Sequence, residues 1–246
     1  MANWSDPRPT AIPLGAGRAS EAVRDAGLRS YMLSVYNYMA SGVLLTGIVA
    51  LLFASGGRDS LAAQVFLAPG ILKYVVMLSP LAFVMVLSFG INKLSTGAAQ
   101  AVFWAFAAVM GVSMSTIFLR YTGSSIAITF FATAVAFLSL SLYGYTTKRN
   151  LQAFGTFLIM GVVGLLVASL LNLWFQSPGF SMVISAIGVL LFAGLTAYDT
   201  QRIKEMYDYV AGTEMQGKAV IMGALSLYLD FVNMFQFLLS FMGQRD

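Results

Sequence analysis

The sequence predicts an all-α polytopic membrane protein, a seven-transmembrane helix bundle. Three observations lead there. Of 246 residues, 59% are hydrophobic and 10% charged, where an ordinary soluble domain is nearer a quarter charged, and the mean hydropathy is +0.80. The few charges are grouped, leaving uncharged runs of the ~20 residues a helix needs to cross ~30 Å of hydrocarbon. No run alternates with period two over ten residues, so a membrane β-barrel is not expected.

The elements follow from the gaps between charges. Residues 1–30 hold Pro7, Pro9 and Pro13, with Arg8, Arg18, Arg24 and Arg29 among Asp6, Glu21 and Asp25. They read as a flexible basic cytoplasmic tail, with room for a short helix from Ser20, and residues 31–246 as the transmembrane domain. No apolar stretch precedes Tyr31, so no cleavable signal peptide of the usual form is expected. The first span covers about Met32–Phe53. Arg58 to Lys73 reads as a moderately apolar loop around Pro69-Gly70. The second span is about Tyr74–Ile91, the third Ala98–Leu119 and the fourth Ser125–Tyr145. Asn150–Tyr198 is 49 residues without a charge, too long for one crossing. Gln176-Ser177-Pro178-Gly179 divides it into a fifth span, Phe154–Phe175, and a sixth, Phe180–Tyr198. Arg202 to Lys218 reads as a mixed-charge loop, and the seventh span is about Ala219–Met242.

Lys and Arg set the orientation. With the N-terminus cytoplasmic, ten of them fall in inside segments and four (Arg58, Lys73, Arg120, Arg245) outside. The bias favours a cytoplasmic N-terminus and an outside C-terminus. The net charge is +4, but it lies in short segments between spans, so it reads as a topology signal and no nucleic-acid partner is expected.

The absences narrow the chemistry. Without His or Cys, there is no Ser-His-Asp or Cys-His catalysis, no His- or Cys-bound metal and no disulfide. The chain is expected to be no enzyme and to carry no resident cofactor.

Two carboxylates stand out. Asp230 lies inside the seventh span, with eleven residues between it and Lys218 and fourteen between it and Arg245. That is ~16 Å or more from either end. An ionised acid at that depth costs several kcal/mol unless it is paired or hydrated, and it marks a candidate functional site. Gly223, Ser226, Asp230, Asn233 and Ser240 fall on one face of that span, while its other faces are apolar. A helix with one such stripe belongs in the middle of a bundle or along a pathway; ordinary interhelical hydrogen bonding alone is the lesser account. Asp199 closes the sixth span beside Arg202 and Lys204. Those basic chains can snorkel, so the helix could run past Asp199 and set it deeper. Antiparallel neighbours across a short loop could bring the two acids together. Within hydrogen-bonding reach they would share one proton, and together they offer the oxygen ligands a hard cation such as Ca2+ prefers. Lys93, at the end of the second span, could pair with Asp199; a plain positive-inside charge is the simpler reading. Gly155, Gly161, Gly164 and Ala168 in the fifth span read as close helix packing.

Two segments carry a family resemblance. Phe192-Ala-Gly-Leu-Thr-Ala-Tyr-Asp-Thr-Gln-Arg-Ile-Lys204 and Ala224-Leu-Ser-Leu-Tyr-Leu-Asp-Phe-Val-Asn233 resemble the signatures of the Bax inhibitor-1 family. Val35-Tyr-Asn-Tyr-Met39 resembles the start of the first helix in bacterial members. The likeness spans about residues 30–243. It implies a bundle with the C-terminal helix central and wrapped by the others. It also implies a pH-sensitive Ca2+ leak gated by an aspartate pair on the sixth and seventh helices, here Asp199 and Asp230. Relatives carry a basic residue at the cytoplasmic end of the second helix that latches onto the sixth-helix acid; Lys93 stands there, without the bidentate fork of Arg.

The function expected is thus a calcium leak of a bacterial inner membrane. Asp199 and Asp230 would be proton sensors and possible Ca2+ ligands, supported by Lys93, Ser226 and Asn233. Its partners would be the lipid bilayer, calcium ions and protons. The alternative is a membrane-embedded regulatory protein, for example a modulator of a membrane protease, that touches a membrane-protein partner through the basic tail and residues 58–73. A proton-coupled transporter and an intramembrane hydrolase rank below both.

Overall fold

The computed structural model describes residues 14–244. Among them are seven helices long and apolar enough to cross a membrane, and no β-strand. Helix α1 (Leu14–Ala54) leads through a 3-10 turn at Gly57–Asp59 to the short α2 (Leu61–Phe66). Then follow α3 (Leu72–Gly90), α4 (Thr96–Met114) with a 3-10 end at Ser115–Leu119, α5 (Gly123–Thr146), α6 (Gln152–Phe175), α7 (Pro178–Val210) and α8 (Met215–Met242). Every span expected from the charge gaps is present. The helix starts carry local signals: the Ser95, Thr122 and Ser177 side chains accept from the backbone N–H three residues on, and Pro178 opens α7.

Two helices outrun their apolar segments. Helix α1 begins at Leu14, eighteen residues before Met32, and α7 continues to Val210, twelve beyond Tyr198. The extensions hold each other. Arg24 Nε and Nη2 donate to Asp208 Oδ1 and Oδ2 at 2.9 and 2.7 Å. The rings of Tyr31 and Tyr207 lie 5.4 Å apart, and Gly27 faces the Tyr207 hydroxyl, where a Cβ would collide. The boundary expected at residue 30 therefore falls inside one continuous helix; residues 1–13 of the expected tail lie outside the described residues. The expected loop from Arg202 to Lys218 is corrected likewise: it is helical on both sides of a turn at 211–214. Hydropathy marks where a helix enters hydrocarbon, whereas hydrogen bonding and packing decide where it ends. The expected loop Arg58 to Lys73 also holds helix: the Ser60 hydroxyl caps α2 by accepting from Ala63 N at 3.1 Å, and Ala62 and Ala63 are buried.

Helix α8 is the most enclosed of the seven, with 67% of its most apolar stretch buried against 11% for α3 and 17% for α6. Helices α1, α4, α5 and α7 pack on it, while α3 lies outside on α4 and α6 outside on α7. Four of the other six spans thus pack on it; the central helix wrapped by all the others that the family resemblance implies is not confirmed. Polar ties fasten α8 to its neighbours. The Thr46 hydroxyl donates to the Ala107 carbonyl at 2.8 Å, so the Tyr228 hydroxyl donates to Thr46 Oγ1 at 2.6 Å. Phe103 and Phe106 meet the Tyr228 ring edge-on. This triangle joins α8, α1 and α4 with every hydroxyl spent inside the protein, as hydrocarbon surroundings require.

Small residues set the closest approaches. A Cβ on Gly111 would meet the Thr46 carbonyl of α1, and one on Gly144 the Ala197 backbone of α7. Backbone cannot rotate aside as a side chain can. Gly155 and Gly161 of α6 lie under Tyr198 and Leu191 of α7, the expected close packing, while Gly164 faces open space.

These features differ in weight. Gly144→Leu must separate α5 from α7, at a cost of about 1–3 kcal/mol, read as a lowered melting temperature of the purified protein in detergent. Arg24→Ala removes an exposed ion pair, with side chains 54% and 46% exposed, and leaves the melting temperature near wild type in the same measurement.

Candidate functional site

Helices α7 and α8 run antiparallel and share the most extensive helix contact of the bundle. Three contacts fix their register. The Ser185 and Ser240 hydroxyls are hydrogen-bonded at 3.1 Å. A Cβ on Gly188 would lie 2.6 Å from the Phe237 ring, and one on Gly223 3.2 Å from Ile203. The seam then reads, on α8, Gly223, Ser226, Asp230, Asn233, Phe237 and Ser240. The alternating steps of three and four are those by which two helices interdigitate at a shallow angle. The facing α7 positions are Ser185, Gly188, Phe192, Leu195, Asp199 and Ile203.

Both acids lie on this seam. Asp230 stands level with Leu195, and Asp199 level with Ser226, one helical turn or ~6 Å along the axis from Asp230. Asp230 is buried, 3% exposed, and its Oδ2 has no hydrogen-bond partner. Asp199 is half-buried and lies eleven residues inside the end of α7. Of the two readings of Asp199, a helix end or a helix running past it, the second is found: α7 carries the chain on to Val210. The charge of Asp199 acts on Asp230, and that of Arg202 on Asp199. Among the described residues no hydrogen bond joins the two carboxylates, whose Cα levels differ by about one turn.

The expected supporting residues divide. Ser226 is half-buried on the seam beside Asp199. Asn233, also half-buried, lies one turn from Asp230 and donates its Nδ2 to the Leu229 carbonyl at 2.8 Å. Lys93 does not join them. It is exposed in the turn after α3, and the only ion pair among the described residues is Arg24–Asp208. The basic residue beside Asp199 comes from the same helix, at Arg202, and not from α3.

Sequence reasoning missed the polar network behind Asp199. Tyr36 is hydrogen-bonded to Ser141, Ser141 to Thr200 at 3.0 Å, and the Thr200 hydroxyl donates to the Thr196 carbonyl at 2.7 Å. Gln201 accepts from Leu151 N and donates to the Arg149 carbonyl, both at 2.8 Å, and Lys204 Nζ donates to the Tyr145 carbonyl at 2.7 Å. These bonds tie α7 to α1, α5 and the α5–α6 connection on the side away from α8. With α7 so anchored, Asp199 is held toward the seam. The signal was present as Thr196, Thr200 and Lys204 at steps of four.

The seam can hold a cation only loosely. Among the described residues no three of His, Cys, Asp and Glu group closely enough to hold a metal ion. Two carboxylates with nearby hydroxyl, amide and carbonyl oxygens suit an ion that keeps part of its water, whereas tight Ca2+ sites present six to eight oxygens.

With this geometry in hand, the relatives are informative. Residues 28–246 match the family model described as inhibitor of apoptosis-promoting Bax1. A protein of Caulobacter vibrioides, itself uncharacterized, is 44% identical over 237 residues, 93% of each chain. The inner membrane protein YbhL of Escherichia coli K12 is 42% identical over 222 residues, covering 89% of this chain and 94% of YbhL. An uncharacterized membrane protein of Streptococcus pyogenes is 36% identical, covering 90% of this chain and 96% of its own. The matched region takes in both signature segments and all seven spans, and on that ground the chain belongs to the Bax inhibitor-1 family.

Proposed function

We propose that this protein is a pH-responsive cation leak pathway with Ca2+ as its transported ion. Asp199 and Asp230 serve as the proton-sensing pair and as transient ligands. One observation carries the reading: a buried helix seam holds two acids a turn apart, and one of them keeps a carboxylate oxygen, Asp230 Oδ2, without a partner. Buried polar atoms are ordinarily satisfied. An unsatisfied carboxylate oxygen within a membrane span is suited to take up a proton or a cation.

The two ligands compete at one place. With both acids ionised, the seam carries two negative charges that repel each other and attract a cation. A proton on either acid removes one charge and the repulsion with it. Either ligand shifts the helices between two arrangements only as far as it binds one better than the other. The family is not a known enzyme class, and the proposal assigns this protein no catalysis. The Escherichia coli relative is named an inner membrane protein. Together with the count of basic residues, that supports placing this protein in a bacterial inner membrane, N-terminus cytoplasmic and C-terminus outside.

The test is Ca2+ flux into proteoliposomes holding the purified protein, measured across pH. Asp199→Asn and Asp230→Asn each lower the flux by about tenfold, equivalent to about 1.4 kcal/mol on the barrier, and flatten its pH profile. Wild-type flux and wild-type pH profile in both variants overturn the reading.

A further inference from the structure

A polar cleft opens between α6 and α8 on the C-terminal face. Both helices pack on α7 but not extensively on each other, and the space between them is a cavity of about 280 Å³. Its lining includes Asn172, Ser181, Ser185, Asn233, Gln236 and Ser240, all neutral donors or acceptors. A second cavity, of about 760 Å³, shares Asn172, Ser181 and Ser240 with it and adds Arg120, Gln176 and Ser177. These residues lie at the ends of their helices, so the pair of cavities forms one channel from the C-terminal face. Such a polar lining is costly against lipid tails and cheap against water. At ~30 Å³ per water the inner cavity alone has room for several molecules.

The depth of the cleft matters. Asn233 lines it and stands three residues, ~4.5 Å of helix rise, from Asp230. On the α7 side the lining runs to Ser185, and the seam then passes Gly188 and Phe192 before reaching Leu195, the level of Asp230. Phe237 lies across Gly188 and stacks on Phe192 with ring centroids 5.8 Å apart. Phe192 is buried, whereas Phe237 borders the cleft. The stacked rings thus wall the cleft on its α7 side, while on α8 Asn233 carries the lining to within one turn of the buried acid.

We propose that this cleft is a water-filled vestibule on the C-terminal face and that the Phe192–Phe237 stack is its hydrophobic closure toward Asp230. On the cation-leak reading, on which its use but not its existence rests, hydrated cations wait here among amide and hydroxyl oxygens. The chain contains no Cys, so single cysteines report access without background. The experiment places Asn233→Cys, Ser181→Cys and Leu195→Cys separately in the full chain, in nanodiscs, and measures labelling by a charged, membrane-impermeant methanethiosulfonate.

The expected result is labelling at residues 181 and 233 at least about tenfold faster than at 195, equivalent to about 1.4 kcal/mol. Adding Phe237→Ala to Leu195→Cys raises the labelling at 195 toward that at 233. Phe237→Leu, which keeps the bulk, does not. Equal rates at 233 and 195 in the otherwise unaltered chain overturn the vestibule. No gain at 195 with Phe237→Ala, in protein eluting as wild type on size exclusion, overturns the closure. Labelling requires no conduction. A chain that labels as expected but carries no Ca2+ flux refutes the leak and leaves the vestibule standing; one that conducts with position 233 sealed refutes the vestibule as the cation route.

Discussion

In hydrocarbon a polar side chain has no water to turn to, so it must find its partner inside the protein, on its own helix backbone or on another helix. Helix α8 carries polar groups on two faces, and the bundle is arranged around that constraint. On one face the Tyr228 hydroxyl is spent on Thr46 of α1, which is in turn spent on a carbonyl of α4. On the other face Asp230 is turned into the seam with α7 and keeps one oxygen unpaired. The first face is satisfied and holds helices together. The second is unsatisfied, and it is where ligand chemistry can act.

The rigidity of α7 gives that seam its meaning. Hydroxyl, amide and ammonium groups on its far side are tied to α1, α5 and the α5–α6 connection. Gly144 lets the α5 backbone reach that of α7 at Ala197, two residues from Asp199. An acid on a freely turning helix could swing to solvent. Held this way, Asp199 stays level with Ser226, a turn from Asp230.

Access follows from the same layout. Because α6 and α8 both lean on α7 and not on each other, a cleft is left between them, and its polar lining makes it a place for water. The Phe192–Phe237 stack borders that cleft, and on the proposal above it closes it toward Asp230. The bundle thus has a buried charged seam, a wet approach from one face, and an apolar barrier between them.

How much of this was legible in the sequence depends on the range of the physics involved. The seven spans were readable because the cost of a charge in hydrocarbon falls on each residue separately. Asp230 was readable for the same reason, and its stripe from helical periodicity alone, although polarity does not mark Phe237, which completes that face. The lengths of α1 and α7 were not readable, since Arg24 and Asp208 sit 184 positions apart and only the fold makes them neighbours. Asp199 looked like a helix end because charges follow it; tertiary partners carry the helix on. Lys93 read more simply as a positive-inside charge than as the partner of Asp199, and it is exposed in the turn after α3, since sharing a face does not bring side chains into reach. The cleft required α6, α7 and α8 to meet at a set register. The sequence by itself determined which segments enter the membrane and which acid lies deepest. The tertiary structure alone decided which polar groups are satisfied, because a hydrogen bond depends on ångström-scale placement of groups far apart in the chain.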